Sequence, residues 1–189
     1  MKALETATGK EFFAQIVAEP DDDAPRLVLA DWLQERGDPF GEFIALQVKK
    51  PNHKRIKTLR LDHYSDWMGP LIDVVDPFSV KFVRGFIDSM SLTSDYWPDA
   101  RTLRLIKAAV GAPQLALVTR LVLERGVGGG GLHNERGSMM EAPRGRGKQI
   151  PIVAFLLHPV LRHLTEVSGS FGPEVRAALT GKVRWSVPD

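Results

Sequence analysis

Asp21, Asp22 and Asp23 stand side by side, and clustered carboxylates are what a hard divalent cation takes. A calcium loop, however, needs ligands at alternate positions, a glycine and a closing glutamate in register, and these are absent. The residues that follow, Ala24-Pro25-Arg26-Leu27, read as a helix start. Either Asp22 or Asp23 is therefore expected to cap it, accepting free backbone N–H groups at the positive end of the helix dipole. Asp31 and Glu35, four apart, have the spacing of an acid/base pair, but beside Arg36 they fit a solvated helical face. His53, His63, His133, His158 and His163 form no metal-binding pattern. His158 before Pro159 reads as the end of an element, and His163 with Glu166 as surface or satisfied core. Ser89, Ser91, Ser168 and Ser170 have no identifiable base and no nucleophile elbow. No catalytic residue, metal site or cofactor is assigned.

Two segments carry chemistry suited to phosphate. Gly126 to Gly131 offers backbone amides, and the strand expected at Val118 to Glu124 precedes it, yet no helix follows promptly and no Gly-Lys-Ser/Thr is present. The whole stretch Arg125 to Lys148 is glycine-rich, polar and aperiodic, and is expected to be a mobile insertion. Its tail, with Arg144, Arg146 and Lys148 spaced by glycines, is similar to basic segments that bind RNA or phosphates without defined structure. The second segment is a basic run containing Lys49, Lys50, His53, Lys54, Arg55, Lys57 and Arg60.

These residues must be positioned by the elements around them. Asp21 to Gln47 reads as a helical hairpin. Pro25 falls in the first turn of its first helix, where a missing N–H leaves no bond unmade. Val28 with Trp32 and Leu29 with Leu33 form an apolar stripe, leaving Arg26, Gln34 and Glu35 towards water. Gly37 suits a left-handed C′ residue, and Asp38-Pro39 starts a second helix that buries Phe43, Leu46 and Ile44. The run PDDDAPRLVLADWLQERGDPFGEFIALQ resembles the repeat-companion domain, a short bacterial module of myxobacterial and planctomycete proteins often found beside leucine-rich repeats. The resemblance spans Phe12 to Gln47. It implies an architecture and an interaction setting, with no catalytic residue.

Around the hairpin, Gly9 to Glu19 and Lys54 to Trp67 show helical spacing, and Gly69-Pro70 forces a turn, so residues 1–75 form the helical part. From Asp76 the period changes. Val80, Phe82, Phe86, Met90 and Leu92 alternate with Lys81, Ile87, Ser89 and Ser91, a bent strand or hairpin broken at Arg84-Gly85. A helix opened by Trp97-Pro98-Asp99 then leads to the strand at Val118 to Glu124. Next come a helix at Ile150 to Leu157, a strand at Leu161 to Val167, a short helix at Pro173 to Leu179 and a strand at Lys182 to Val187. Leu161-x-x-Leu164 and Leu121-x-Leu123 resemble fragments of a leucine-rich repeat, although Glu166 stands where a third leucine is expected. The trp side chains Trp32, Trp67, Trp97 and Trp185 read as packing residues.

The fold class expected is therefore α/β: an N-terminal helical cap followed, over residues 76–189, by a short irregular leucine-rich-repeat-like array with a mainly parallel sheet. The helices are expected to shield the edge of its first strand. With 25 basic against 23 acidic residues the net charge is only +2, so overall charge argues weakly for nucleic acid. The absence of cysteine and of any long apolar run gives the expectation of a cytoplasmic chain without a membrane span. Non-enzymatic binding of a protein partner is the leading reading. It places Ile87, Ser89, Ser91, Arg120, Val122, Glu124, Lys182 and Arg184 on the outward sheet face. The alternative is nucleic-acid or nucleotide binding through the basic run and the Arg-Gly loop.

Overall fold

The computed structural model describes residues 2–92, 100–123, 155–169, 177 and 179–186. The expected insertion at 125–148, and with it Gly126 to Gly131, Arg144, Arg146 and Lys148, lies outside them, as do His133, Trp97 and Ser170.

Four helices come first: α1 (Ala7–Ala18), α2 (Ala24–Gln34), α3 (Pro39–Lys49) and α4 (Lys54–Met68). The hairpin of α2 and α3 follows from its punctuation. Asp22 accepts the Ala24 N–H at 2.8 Å while Asp23 occupies the cap position without a side-chain bond to the helix N–H groups, and Pro25 lies in the first turn. Gly37 adopts φ +69, and the Asp38 N–H donates back to Leu33 O at 3.0 Å, the long bond of a Schellman closure. Asp38 then caps α3 by accepting the Phe40 N–H at 2.9 Å.

The inward stripe of α2 differs from the expected one. Arg26 is 3% exposed and lies with Leu29, Ala30 and Leu33, whereas Val28 is 51% exposed. The guanidinium tolerates burial because it donates to Asp22 O and sits among the three aspartates. Burial, with Arg84 nearby, lowers its pKa from the ordinary arginine value, and Asp23, Asp21 and Asp22 oppose that shift. Arg84 completes the cluster by donating to Asp21 Oδ1 at 3.1 Å and Asp23 Oδ1 at 3.4 Å. The aspartate run is thus occupied by two arginines from different parts of the chain.

Among the described residues the sheet has five strands in chain order: β1 (Lys81–Val83), β2 (Phe86–Leu92), β3 (Arg120–Leu123), β4 (Glu166–Gly169) and β5 (Arg184–Ser186). β1 and β2 are antiparallel, and β2 through β5 are parallel. A fifth helix, α5 (Ala100–Ala109), lies between β2 and β3. Arg84 at φ +51 and Gly85 at φ +92 join β1 to β2 through a two-residue loop with both residues left-handed, which matches the right-handed strand twist. No helix among the described residues is long and apolar enough to cross a membrane.

Pro113–Leu115 and Pro159–Leu161 are matching 3₁₀ turns, each leading into a strand 46 positions from its counterpart. In the first, Leu115 N–H donates to Ala112 O and Val118 N–H to Leu115 O; in the second, Leu161 N–H donates to His158 O and Leu164 N–H to Leu161 O. Leu115, Val118 and Leu121 are buried, as are Leu161, Leu164 and Val167. This spacing of three belongs to the turn and corrects the sequence expectation: β4 starts at Glu166 rather than Leu161, and the third apolar residue is Val167.

Two cores result. One fills the space beneath the sheet and includes Leu71, Met90, Leu115, Leu121 and Val167. The other lies within the helices and includes Leu29, Leu33, Phe40, Phe43 and Trp67, but it also takes in Phe86. Phe82 packs against both. Its ring meets Phe43 edge-on at 5.5 Å, and Phe86 meets Phe40 edge-on at 5.7 Å. The Gln47 side chain donates to Phe82 O at 3.4 Å and accepts the Gly85 N–H at 2.7 Å, so α3 covers polar groups of the β1 edge.

Two consequences are measurable. A methyl group on Gly41 would lie 2.5 Å from Ala30 O and 2.8 Å from Gln34 N, backbone atoms that cannot turn aside. Helix propensity favours alanine by about 1 kcal/mol, but overpacking costs about 1–3 kcal/mol or more. Gly41→Ala should therefore destabilise the protein by about 2 kcal/mol in urea melts. At Arg84, left-handed strain of about 1 kcal/mol opposes surface ion pairs of similar total size. Arg84→Asn should change stability by less than about 0.5 kcal/mol, while Arg84→Ala, which keeps the strain and loses the pairs, should lose about 1 kcal/mol.

Candidate binding cleft

The chain between α4 and β1 forms a turn at Asp76-Pro77-Phe78-Ser79. Asp76 Oδ1 accepts the Phe78 N–H at 3.1 Å, and Asp76 O accepts both the Ser79 N–H at 3.1 Å and the Ser79 hydroxyl at 2.8 Å. Ser79 Oγ accepts the Ser91 N–H at 2.8 Å, and the Asp76 N–H donates to Ser91 O at 3.0 Å. The turn is thus stapled to β2. It holds out Phe78, 97% exposed, on a well-fixed backbone.

Phe78 lines a cleft of about 470 Å³ whose opposite wall is the α3–α4 corner. Its charged lining is entirely basic: Lys54, Lys57 and Arg60 from α4 and Lys81 from β1, with His53 beside them. Lys54, Lys57 and Arg60 recur every three residues and so share one side of the helix. Gln47, Asn52 and Ser79 supply polar groups, and Ile56, Val80 and Phe82 an apolar floor. None of the four permanent cations forms an ion pair among the described residues.

Folding alone does not account for this charge. The first turn of α4 carries no acidic residue, and His53 caps it by accepting the Arg55 N–H at 3.3 Å through Nδ1. Cations at a helix N-terminus oppose the dipole, each by about 0.3–1 kcal/mol. Arg55 is relieved by Glu42 at 3.3 Å, on the side away from the cleft lining, while Lys54 and Lys57 are left facing outward. Tyr64 sits behind, its pKa raised by burial while Arg60 opposes the shift and Asp76 adds to it. The arrangement is suited to negative charge, and its lining residues hold no acid and base converging on one point. Among the described residues no group of histidines and carboxylates could hold a metal.

The other expected site residues are dispersed. Lys49 and Lys50 are exposed at the end of α3, outside the cleft lining. On the sheet, Arg120 and Arg184 are exposed and Ser89 and Val122 are half-buried; Lys182, also exposed, lies in the turn before β5, which starts at Arg184 rather than at Lys182. Arg120 donates to Glu166 at 2.9 Å in the next strand, and Glu166 is in register with Arg184. Glu124 lies outside the described residues. Ile87 and Ser91, expected on the surface, are buried. For Ile87 the cause is a bulge: Lys81 pairs with Ser89 but Phe82 with Ile87, so Asp88 is an extra residue and the alternation reverses across it. For Ser91 the cause is the Asp76 to Ser79 turn laid over it.

The basic run in the sequence located one wall of the cleft. Phe78 and Lys81 escaped it because they arrive from the other side of the fold. The signal available was a phenylalanine at the third place of an Asp-Pro turn, where a large apolar side chain has nothing to pack on. Comparison of the chain with protein-family models, with characterised proteins and with solved structures finds no match.

Proposed function

We propose that this chain is a binding module without catalytic chemistry of its own, and that it takes a polyanionic ligand in the cleft between the α3–α4 corner and Phe78. One observation carries this reading: Lys54, Lys57, Arg60 and Lys81 converge with no carboxylate among the lining residues, and Lys54 stands at a helix start where a cation opposes the dipole. A bound anion relieves that repulsion. Lys54→Glu should accordingly raise stability by about 1 kcal/mol in the free protein, because it reverses a charge at the positive end of α4. The same change should weaken heparin binding and lower the slope of log affinity against log salt by about 1. A Lys54→Glu protein that binds heparin as tightly as before would remove the cleft from consideration.

A second reading has its own support. The consecutive order of parallel strands and the turn-strand unit recurring at 46 positions accord with a leucine-rich-repeat-like array behind a repeat-companion module. In such an array the outward sheet face, here with Arg120, Val122 and Arg184 and with Lys182 in the turn before β5, is the surface offered to a protein partner. Alanine at Arg120, Val122 and Arg184 together should leave the urea midpoint nearly unchanged and abolish recovery of that partner from native lysate. Recovery equal to that of the unaltered protein would discard this face.

A further inference from the structure

We infer that the ligand of the cleft is a single-stranded nucleic acid, with phosphates on the α4 cations and a base stacked on Phe78. The inference rests on the polyanion reading and adds the chemistry of the partner. A purely anionic ligand has use for the lysines and the arginine, but none for a bare aromatic ring. Phe78 is 97% exposed, yet its backbone is fixed by the Asp76 turn and by the staple from Ser79 to Ser91. Its ring is therefore offered to solvent at little further ordering cost. A flat ring beside a basic groove is the arrangement by which single strands are held, since every unpaired base presents a π-face.

The dimensions agree. A volume of about 470 Å³ lies within the ~300–1,000 Å³ usual for small-ligand sites, so it holds one or two nucleotides while the strand continues outside. Lys54, Lys57 and Arg60 lie along one line of α4, as a phosphate backbone requires, and Lys81 stands across from them on β1. Gln47, Asn52 and Ser79 add donors and acceptors suited to base edges. A duplex keeps its bases stacked internally and cannot reach the ring. A peptide of acidic residues alone would satisfy the cations and leave Phe78 bare.

Fluorescence anisotropy at low salt with a labelled oligothymidylate, the matching duplex and inorganic polyphosphate decides the matter. The unaltered protein should bind the single strand more tightly than the duplex. Phe78→Ala should weaken single-strand binding about tenfold or more and leave polyphosphate binding unchanged. Phe78→Trp should retain the affinity, and its tryptophan emission should be quenched as the oligonucleotide is added. Polyphosphate binding with an oligonucleotide affinity indifferent to Phe78→Ala would overturn the nucleic-acid inference and leave the polyanion reading standing. Failure of all three probes to bind would overturn both.

Discussion

Two phenylalanines on one β-hairpin hold this molecule together. Phe82 and Phe86 leave the sheet and enter the aromatic cluster of Phe13, Phe40, Phe43 and Trp67. Such ring pairs contribute about 0.5–1.5 kcal/mol each beyond their buried area. Entry requires a close approach at the hairpin turn. A side chain at Gly85 would collide with Ile44, the would-be methyl carbon lying 2.5 Å from Ile44 Cγ1, and φ +92 there also favours glycine. Gln47 fixes the same junction with two hydrogen bonds. Because α4 and the chain leading into β1 are the two walls of the cleft, this docking sets its width. The packing of apolar rings thus governs the spacing of the charges across the cleft.

Local signals carried most of the helical half. Pro25, Gly37 and Asp38-Pro39 act through their own backbone, so their effects are legible without tertiary knowledge, and the hairpin stands where they place it. Hydropathy assigns Arg26 to solvent, whereas here the aspartates of the preceding turn offset part of the cost of burying it. The sheet was harder to read. Alternation along β2 reverses at an unpaired residue that no composition marks, and apolar residues three apart, which suggest a strand, belong to a 3₁₀ turn. The basic wall of the cleft was visible because it is one contiguous run. Its aromatic wall was not, because only the docked hairpin brings Phe78 and Lys81 opposite.

The chain puts its charges to two different uses. Asp21, Asp22 and Asp23 are the obvious candidates for a cation site, and they serve Arg26 and Arg84, tying the hairpin tip to the start of α2. Exposure keeps those bonds modest in strength. On the other side of the same hairpin the cations of the cleft stand without ion-pair partners among the described residues. A net charge of +2 conceals this separation, which is one of place rather than of number.

Asp88 sits at the meeting of these arrangements. Its carbonyl accepts the Thr119 N–H and its carboxylate the Thr119 hydroxyl, both at 2.8 Å, so the extra residue of β2 is also the anchor for the next strand. Before it, Phe86 serves the helical core; after it, Met90 and Leu92 serve the core beneath the sheet. A lone unmatched peptide unit therefore acts as a phase converter between two interiors. Changes of length are free wherever the backbone is loose, but a residue gained or lost between Phe86 and Met90 would hand each interior the side chains meant for the opposite surface.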